Sequence, residues 1–166
     1  PLGAARRRQL MRITVHTVGG RMPRWVSEGS DDYLRRLPRE LSVSWREVPL
    51  AKRGAGAQPQ RLREREGEVL LRGVRDGDHC VALDPGGCGW STQQLAAELR
   101  RWMMGGRPLN LFIGGPEGLS RACLERAQQR WSLGPLTLPH PLVRVLLAEQ
   151  LYRAWTITVG PPYHRD

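Results

Sequence analysis

Two hydrophobic rhythms alternate along the chain from Met11 onward. The run MRITVHTVG (11–19) alternates apolar with polar and is rich in β-branched residues, which predicts a strand. Pro23 then opens a helical stretch through Trp25, Val26, Tyr33 and Leu34 that must stop before Pro38. VSWREVPL (43–50) predicts a second strand, with Val43, Trp45 and Val48 on its apolar face. The small, basic run AKRGAGAQPQ that follows has no period and predicts a mobile loop. A charged helix is expected from Gln60 to Leu71, turning Leu62, Val69 and Leu70 inward.

The second half repeats the alternation. HCVALD (79–84) is a short buried strand running into the turn-rich PGGCGW. Ser91 and Gln94 have the spacing of a capping box, and Leu95, Leu99 and Trp102 form one face of the helix it starts. LNLFIGG (109–115) predicts the central strand, with a helix from about Ser120 behind it. SLGPLTL (132–138) is a strand or an extended loop. The last helix begins just after Pro141, is apolar over much of its circumference, and gives way to the polar tail PPYHRD.

Strand–helix alternation with short, nearly uncharged later strands predicts an α/β fold with a largely parallel sheet flanked by helices. Ligands of such sheets bind beyond the carboxyl ends of the strands. Three of those ends, LDPGG, IGGPEG and LTLPHP, are rich in glycine, proline or both, so they frame a candidate small-molecule site. Neither GxGxxG after the first strand nor GxxxxGK[ST] occurs, which removes the dinucleotide fingerprint and the P-loop.

Composition narrows the class. The 166 residues fit one domain, spanning 11–166, with residues 1–10 (PLGAARRRQL) set apart as an extension, tag remnant or transit-peptide end. Arg6, Arg7 and Arg8 are therefore not counted as designed contacts. No segment is apolar for long enough to span a bilayer, so no membrane partner is expected. The net charge of +10, against 16 acidic residues, points to a polyanionic partner, most simply nucleic acid. Lys52 is the sole lysine; every other basic side chain is arginine. Cys80, Cys88 and Cys123 have no CxxC spacing and no nearby His pair, so reduced structural thiols and no metal are expected.

The blocks IGGPEG, SLGPLTLPHPLVRVLLAEQLYRAW and PYHRD, with VGGRMPRWVSEGSDDYLRRL and PLAKRG before them, resemble the RlmH family from Met11 to Asp166. These are bacterial methyltransferases acting on N3 of a pseudouridine in the helix 69 loop of 23S ribosomal RNA. The resemblance implies a SPOUT-type fold with a C-terminal trefoil knot, S-adenosylmethionine as methyl donor, a cytoplasmic homodimer, and the assembled ribosome as substrate. General topology rules alone would give an unknotted sheet.

By the same resemblance, Leu83 and the segment Leu133, Gly134, Pro135, Leu136, Thr137 and Leu138 match positions that sandwich adenine. Leu133, Leu136 and Leu138 read equally well as ordinary core. Gly114 matches the place where backbone meets the cofactor and a Cβ would collide. In the tail, which the resemblance marks as functional against the competing reading of a disordered terminus, His164 is a candidate proton acceptor, Arg165 a candidate phosphate or imide-anion contact, and Tyr163 a candidate base contact. Arg144 and Arg153 stand on the last helix without a common face, and Glu149 is a buried acid of structural or catalytic use. His140 shapes its loop, while His16 and His79 are structural or surface residues. Trp25, Tyr33, Arg35, Arg36, Lys52 and Arg53 are candidate RNA contacts, with the basic loop favoured over Trp25 because aromatics at helical spacing are usually core. Two rivals remain: the same fold acting on another RNA position or on tRNA, and a basic RNA-binding assembly factor without a cofactor.

Overall fold

A computed structural model describes residues 10–159. Residues 1–9 of the extension and the tail residues Tyr163, His164 and Arg165 lie outside the described residues. Five strands, β1 (Met11–Val18), β2 (Leu41–Val48), β3 (His79–Gly89), β4 (Leu109–Ile113) and β5 (Gln129–Ser132), form one sheet in the order β2-β1-β4-β3-β5. Every pairing is parallel. The connecting helices are α1 (Arg24–Leu34), α2 (Pro59–Leu71), α3 (Thr92–Gly105), α4 (Arg121–Arg126) and α5 (His140–Val159).

The period of two in the strands sorts buried residues onto two faces. Ile13, Val15, Val81, Leu109, Leu111 and Ile113 face a core completed by Leu95, Leu99 and Trp102 of α3 and by Leu147, Leu151 and Ala154 of α5. Val18, Cys80, Ala82 and Phe112 face a second core with Leu70 of α2 and Cys123 of α4. Helices α1 and α3 both pack on α5, and α2 packs on α4, so the sheet is sandwiched between two helical layers. Burial pushes the Cys80 thiol up to about 11 and raises Cys123 as well, which keeps both unreactive.

A buried polar chain crosses the second face. His16 Nε2 lies 2.6 Å from Asn110 Oδ1, and Asn110 Nδ2 donates to Asp78 at 3.0 Å. Arg46 Nη1 approaches His16 Nδ1 at 3.1 Å and also donates to the Leu70 carbonyl. A guanidinium can only donate, so His16 is the neutral Nε2–H tautomer. Desolvation, then the Arg46 charge, outweigh the Asn110 bond and lower its pKa.

Several boundaries differ from the sequence expectation. β3 continues past Asp84 to Gly89, because Cys88 and Gly89 resume pairing with Trp131 and Ser132 after a register shift. Gly87 makes this possible: a Cβ there would lie 2.6 Å from the Arg130 carbonyl group. β5 accordingly occupies 129–132, and 133–138 is loop. β2 starts at Leu41, opposite Met11 in the register, and ends before Pro49, which has no N–H for the ladder. Pro23 is the N-cap of α1 rather than its first residue, and α5 begins at His140. The Ser91–Gln94 capping box forms as expected.

Candidate active site

The site lies where the sheet reverses its winding. β1 and β4 are neighbours, yet the chain leaves β1 through α1 on the α5 side and leaves β4 through α4 on the other. Their carboxyl ends therefore part and open a crevice, the usual ligand position in open α/β sheets. One hollow, of about 360 Å³, lies beside β3 and β5; a second, of about 500 Å³, occupies the crevice and adjoins the first through the shared lining residues Leu138 and Val143.

The first hollow is lined by Leu83, Asp84, Pro85, Trp131, Ser132, Val143 and the whole segment Leu133, Gly134, Pro135, Leu136, Thr137, Leu138. The core reading of the leucines does not hold for Leu136, whose surface is 77% exposed, and Leu133 and Leu138 are only half-buried. Gly134 N–H donates to Ser132 Oγ, whereas the N–H groups of Leu136, Thr137 and Leu138 make no hydrogen bond among the described residues. Apolar side chains beside free main-chain donors suit a flat, apolar ring with polar edges. Asp84, which sequence reasoning passed over, makes no ion pair among the described residues.

The second hollow joins the ends of β1 and β4: Val18, Gly19, Gly20, Ile113, Gly114, Gly115 and Pro116, with Met22, Leu50 and His140. Gly114 lines this hollow, and the turn's own backbone already leaves no room for a side chain there. A Cβ would lie 2.5 Å from the Gly118 carbonyl carbon and 2.8 Å from both the Gly118 oxygen and Leu119 N. The turn closes on itself through Gly118 N–H to Gly115 O, with Gly118 in the left-handed region at φ 85°. Glycine at 114 is thus demanded by the turn's own backbone.

An ionic clamp holds this turn. Glu66 of α2 is 2% exposed and accepts from Ala51 N–H at 3.0 Å and from Arg53 Nη2 at 3.3 Å. The same Arg53 nitrogen pairs with Glu117 in the turn. Arg53, a candidate RNA contact by sequence, is therefore a strut between the β2 loop and the β4 turn.

Arg144 also has a structural task. It is 5% exposed, donates to Glu47 at 2.9 Å and Thr17 Oγ1 at 2.8 Å, and so ties the start of α5 to β1 and β2. Its Nε donates to His140 Nε2 at 3.3 Å. Desolvation and, next, the Arg144 charge lower the His140 pKa, so a neutral imidazole lines the second hollow. This goes beyond shaping a loop, and only the fold brings His140 to Gly19. Glu149 is paired with Arg153 at 2.7 Å, the structural use of a half-buried acid. His79 bonds Gln129, away from the cleft. Tyr33 and Arg36 meet Tyr152 at the α1–α5 contact, while Trp25, a candidate RNA contact with core as the competing reading, is 50% exposed. Among the described residues no cluster of His, Cys, Asp or Glu is placed to hold a metal ion.

A family model described as "Predicted SPOUT methyltransferase" matches residues 11–164. The chain belongs to the SPOUT methyltransferase family. Its curated relatives include the ribosomal RNA large subunit methyltransferases H of Hahella chejuensis, 54% identical over 94% of this chain and 100% of the relative, and of Azotobacter vinelandii, 54% identical over 93% and 100%. Among solved structures, a Bordetella pertussis protein described as "Probable Methyltransferase" superposes with a TM-score of 0.54 at 16% identity, covering 87% of this chain and 96% of that one. At that identity the likeness speaks for the fold. Family membership makes the chain an S-adenosylmethionine-dependent methyltransferase, and the first hollow has the apolar walls and free main-chain donors that this donor's adenine requires.

Proposed function

We propose that this SPOUT methyltransferase transfers a methyl group to N3 of a pseudouridine in the helix 69 loop of 23S ribosomal RNA, on the assembled ribosome, in the cytoplasm, as a homodimer with a C-terminal trefoil knot. The carrying observation is that Leu83 and Leu133 to Leu138 line one hollow and Gly114 an adjoining one, in a chain whose relatives are named ribosomal RNA large subunit methyltransferases H. No helix among the described residues is long and apolar enough to cross a membrane. S-adenosylmethionine supplies an already activated methyl on a sulfonium.

The chain's task is alignment and the handling of one proton. The free N–H groups at 136–138, with Leu83, Leu133 and the Asp84 carboxylate beside them, would hold the donor's nucleoside. The clamped glycine turn fixes the far wall. The tail, outside the described residues, would bring the RNA chemistry. Tyr163 would contact the base, Arg165 would stabilise the imide anion, and His164 would take the N3 proton when the methyl group passes to N3.

The test is incubation of ribosomes from a strain lacking the enzyme with labelled donor, followed by mapping of the modified base. Label at N3 of the helix 69 pseudouridine is expected. Label at another position, or on tRNA, refutes the assignment of the target. His164→Ala should slow single-turnover methylation by about 10²–10⁴-fold without weakening donor binding, and full-rate methylation by that variant removes His164 as the base.

A further inference from the structure

The β2–α2 loop contains a third hollow, of about 260 Å³, which the donor site does not use. Its lining includes Lys52, Arg61 and Arg65 and no acidic residue. All three cations are exposed, and none makes an ion pair or hydrogen bond among the described residues. This sets them apart from Arg24, Arg36, Arg53, Arg101, Arg121, Arg144 and Arg153, each of which is paired with a carboxylate. Three like charges held around one hollow repel each other unless an anion joins them. The floor suits an anion as well. Gly54, Ala55 and Gly56 contribute main-chain N–H groups that make no hydrogen bond among the described residues, within a turn closed by Ala57 N–H to Gly54 O.

The hollow is also fixed relative to the chemistry. Leu50 lines the donor crevice, and Lys52, two residues on, lines the basic hollow. Between them Ala51 N–H is anchored on buried Glu66, and Arg53 bridges Glu66 to Glu117 in the glycine turn. An anion seated here would therefore be held in a set position beside the crevice.

We propose that Lys52, Arg61 and Arg65 form a binding site for backbone phosphates of the RNA substrate, positioned by the Arg53 clamp next to the donor crevice. The inference rests on the proposed action on RNA. Phosphate contacts position a nucleic acid without reading its sequence, and releasing their counterions makes binding salt-dependent. The site thus registers the RNA strand while the crevice and tail act on the base.

The experiment compares wild type with Lys52→Ala/Arg61→Ala/Arg65→Ala. It measures binding of a single-stranded RNA oligonucleotide over a salt series, methylation kinetics on ribosomes from a strain lacking the enzyme, and donor affinity by calorimetry. The triple variant should show a salt slope shallower by about two and a KM for ribosomes raised at least about tenfold at physiological salt. Its kcat and donor affinity should match wild type, and Arg61→Lys/Arg65→Lys should keep the wild-type slope, because a phosphate accepts either cation. An unchanged slope and KM overturn the site while leaving the proposed function intact. Loss of donor affinity in the triple variant also overturns it, since the cations would then serve the crevice. Wild-type protein that binds donor but methylates no RNA brings down the proposed function and this site together.

Discussion

Gly114→Ala separates two explanations for a glycine at the cofactor turn. If the methyl donor alone needs the space, the donor-free protein should tolerate a methyl group. The structure says otherwise, because the new Cβ would lie 2.5 Å from the Gly118 carbonyl carbon and 2.8 Å from Leu119 N. Ordinary carbon contacts sit at about 3.5–4.0 Å, so the overlap is about 1 Å, and it is with backbone that cannot rotate away. Overpacking of this kind costs about 1–3 kcal/mol. For a chain of this size that lowers the melting temperature by roughly 2–12 °C without any ligand present. A shift of about 1 Å in the crevice wall should also cost about 10²-fold in methyl transfer. Differential scanning calorimetry of the donor-free variant, with single-turnover kinetics beside it, gives both numbers. A donor-free melting temperature within about a degree of wild type, with donor binding lost, would refute the self-contact argument and return the role of Gly114 to direct cofactor approach.

Other expectations follow from the same geometry. Glu66→Ala orphans the Ala51 N–H and should cost about 1–3 kcal/mol in urea unfolding, with Glu66→Gln recovering part because its amide oxygen still accepts; equal losses in the two would refute the Ala51 contact. Gly67→Ala puts a Cβ 2.1 Å from Ser120 Oγ at the α2–α4 contact and should destabilise by about 1–3 kcal/mol, with Ser120→Gly relieving it; additive losses in the double variant would exclude the clash. His16 has a lowered folded pKa, so the unfolded chain binds the proton first: stability is full above about pH 6.5 and declines as pH falls below it. Chemical denaturation between pH 5 and 7 should show a flatter pH slope for His16→Gln, and an unchanged slope would place the titration elsewhere, for instance at His140.

The alternation of periods made the order of elements legible, and the glycine- and proline-rich blocks it set off supply lining to the two hollows, although only IGGPEG proved to be a strand end. Those are local properties: branching at Cβ, capping by Ser91 and the stop at each proline act within a few residues of chain. The run from Leu136 was marked as a candidate site by its prolines, but the adenine role of Leu133 to Leu138 came only from the resemblance to a family, since leucines so spaced look like core until the fold leaves Leu136 in the open. The tail residues carry the proposed proton chemistry on the strength of the sequence alone.

What tertiary structure decided are matters of contact between distant segments. It extended β3 beyond Asp84, because Cys88 and Gly89 find partners in β5 more than forty residues on, in a pairing that no local pattern encodes. It turned Arg53 from a loop cation into a strut, left Lys52, Arg61 and Arg65 unpaired around a common hollow, and placed His140 against Gly19. Periodicity specifies which face of an element is apolar. Which charges meet, and which backbone lies against a given glycine, depends on how the sheet closes, and that is a property of the whole chain.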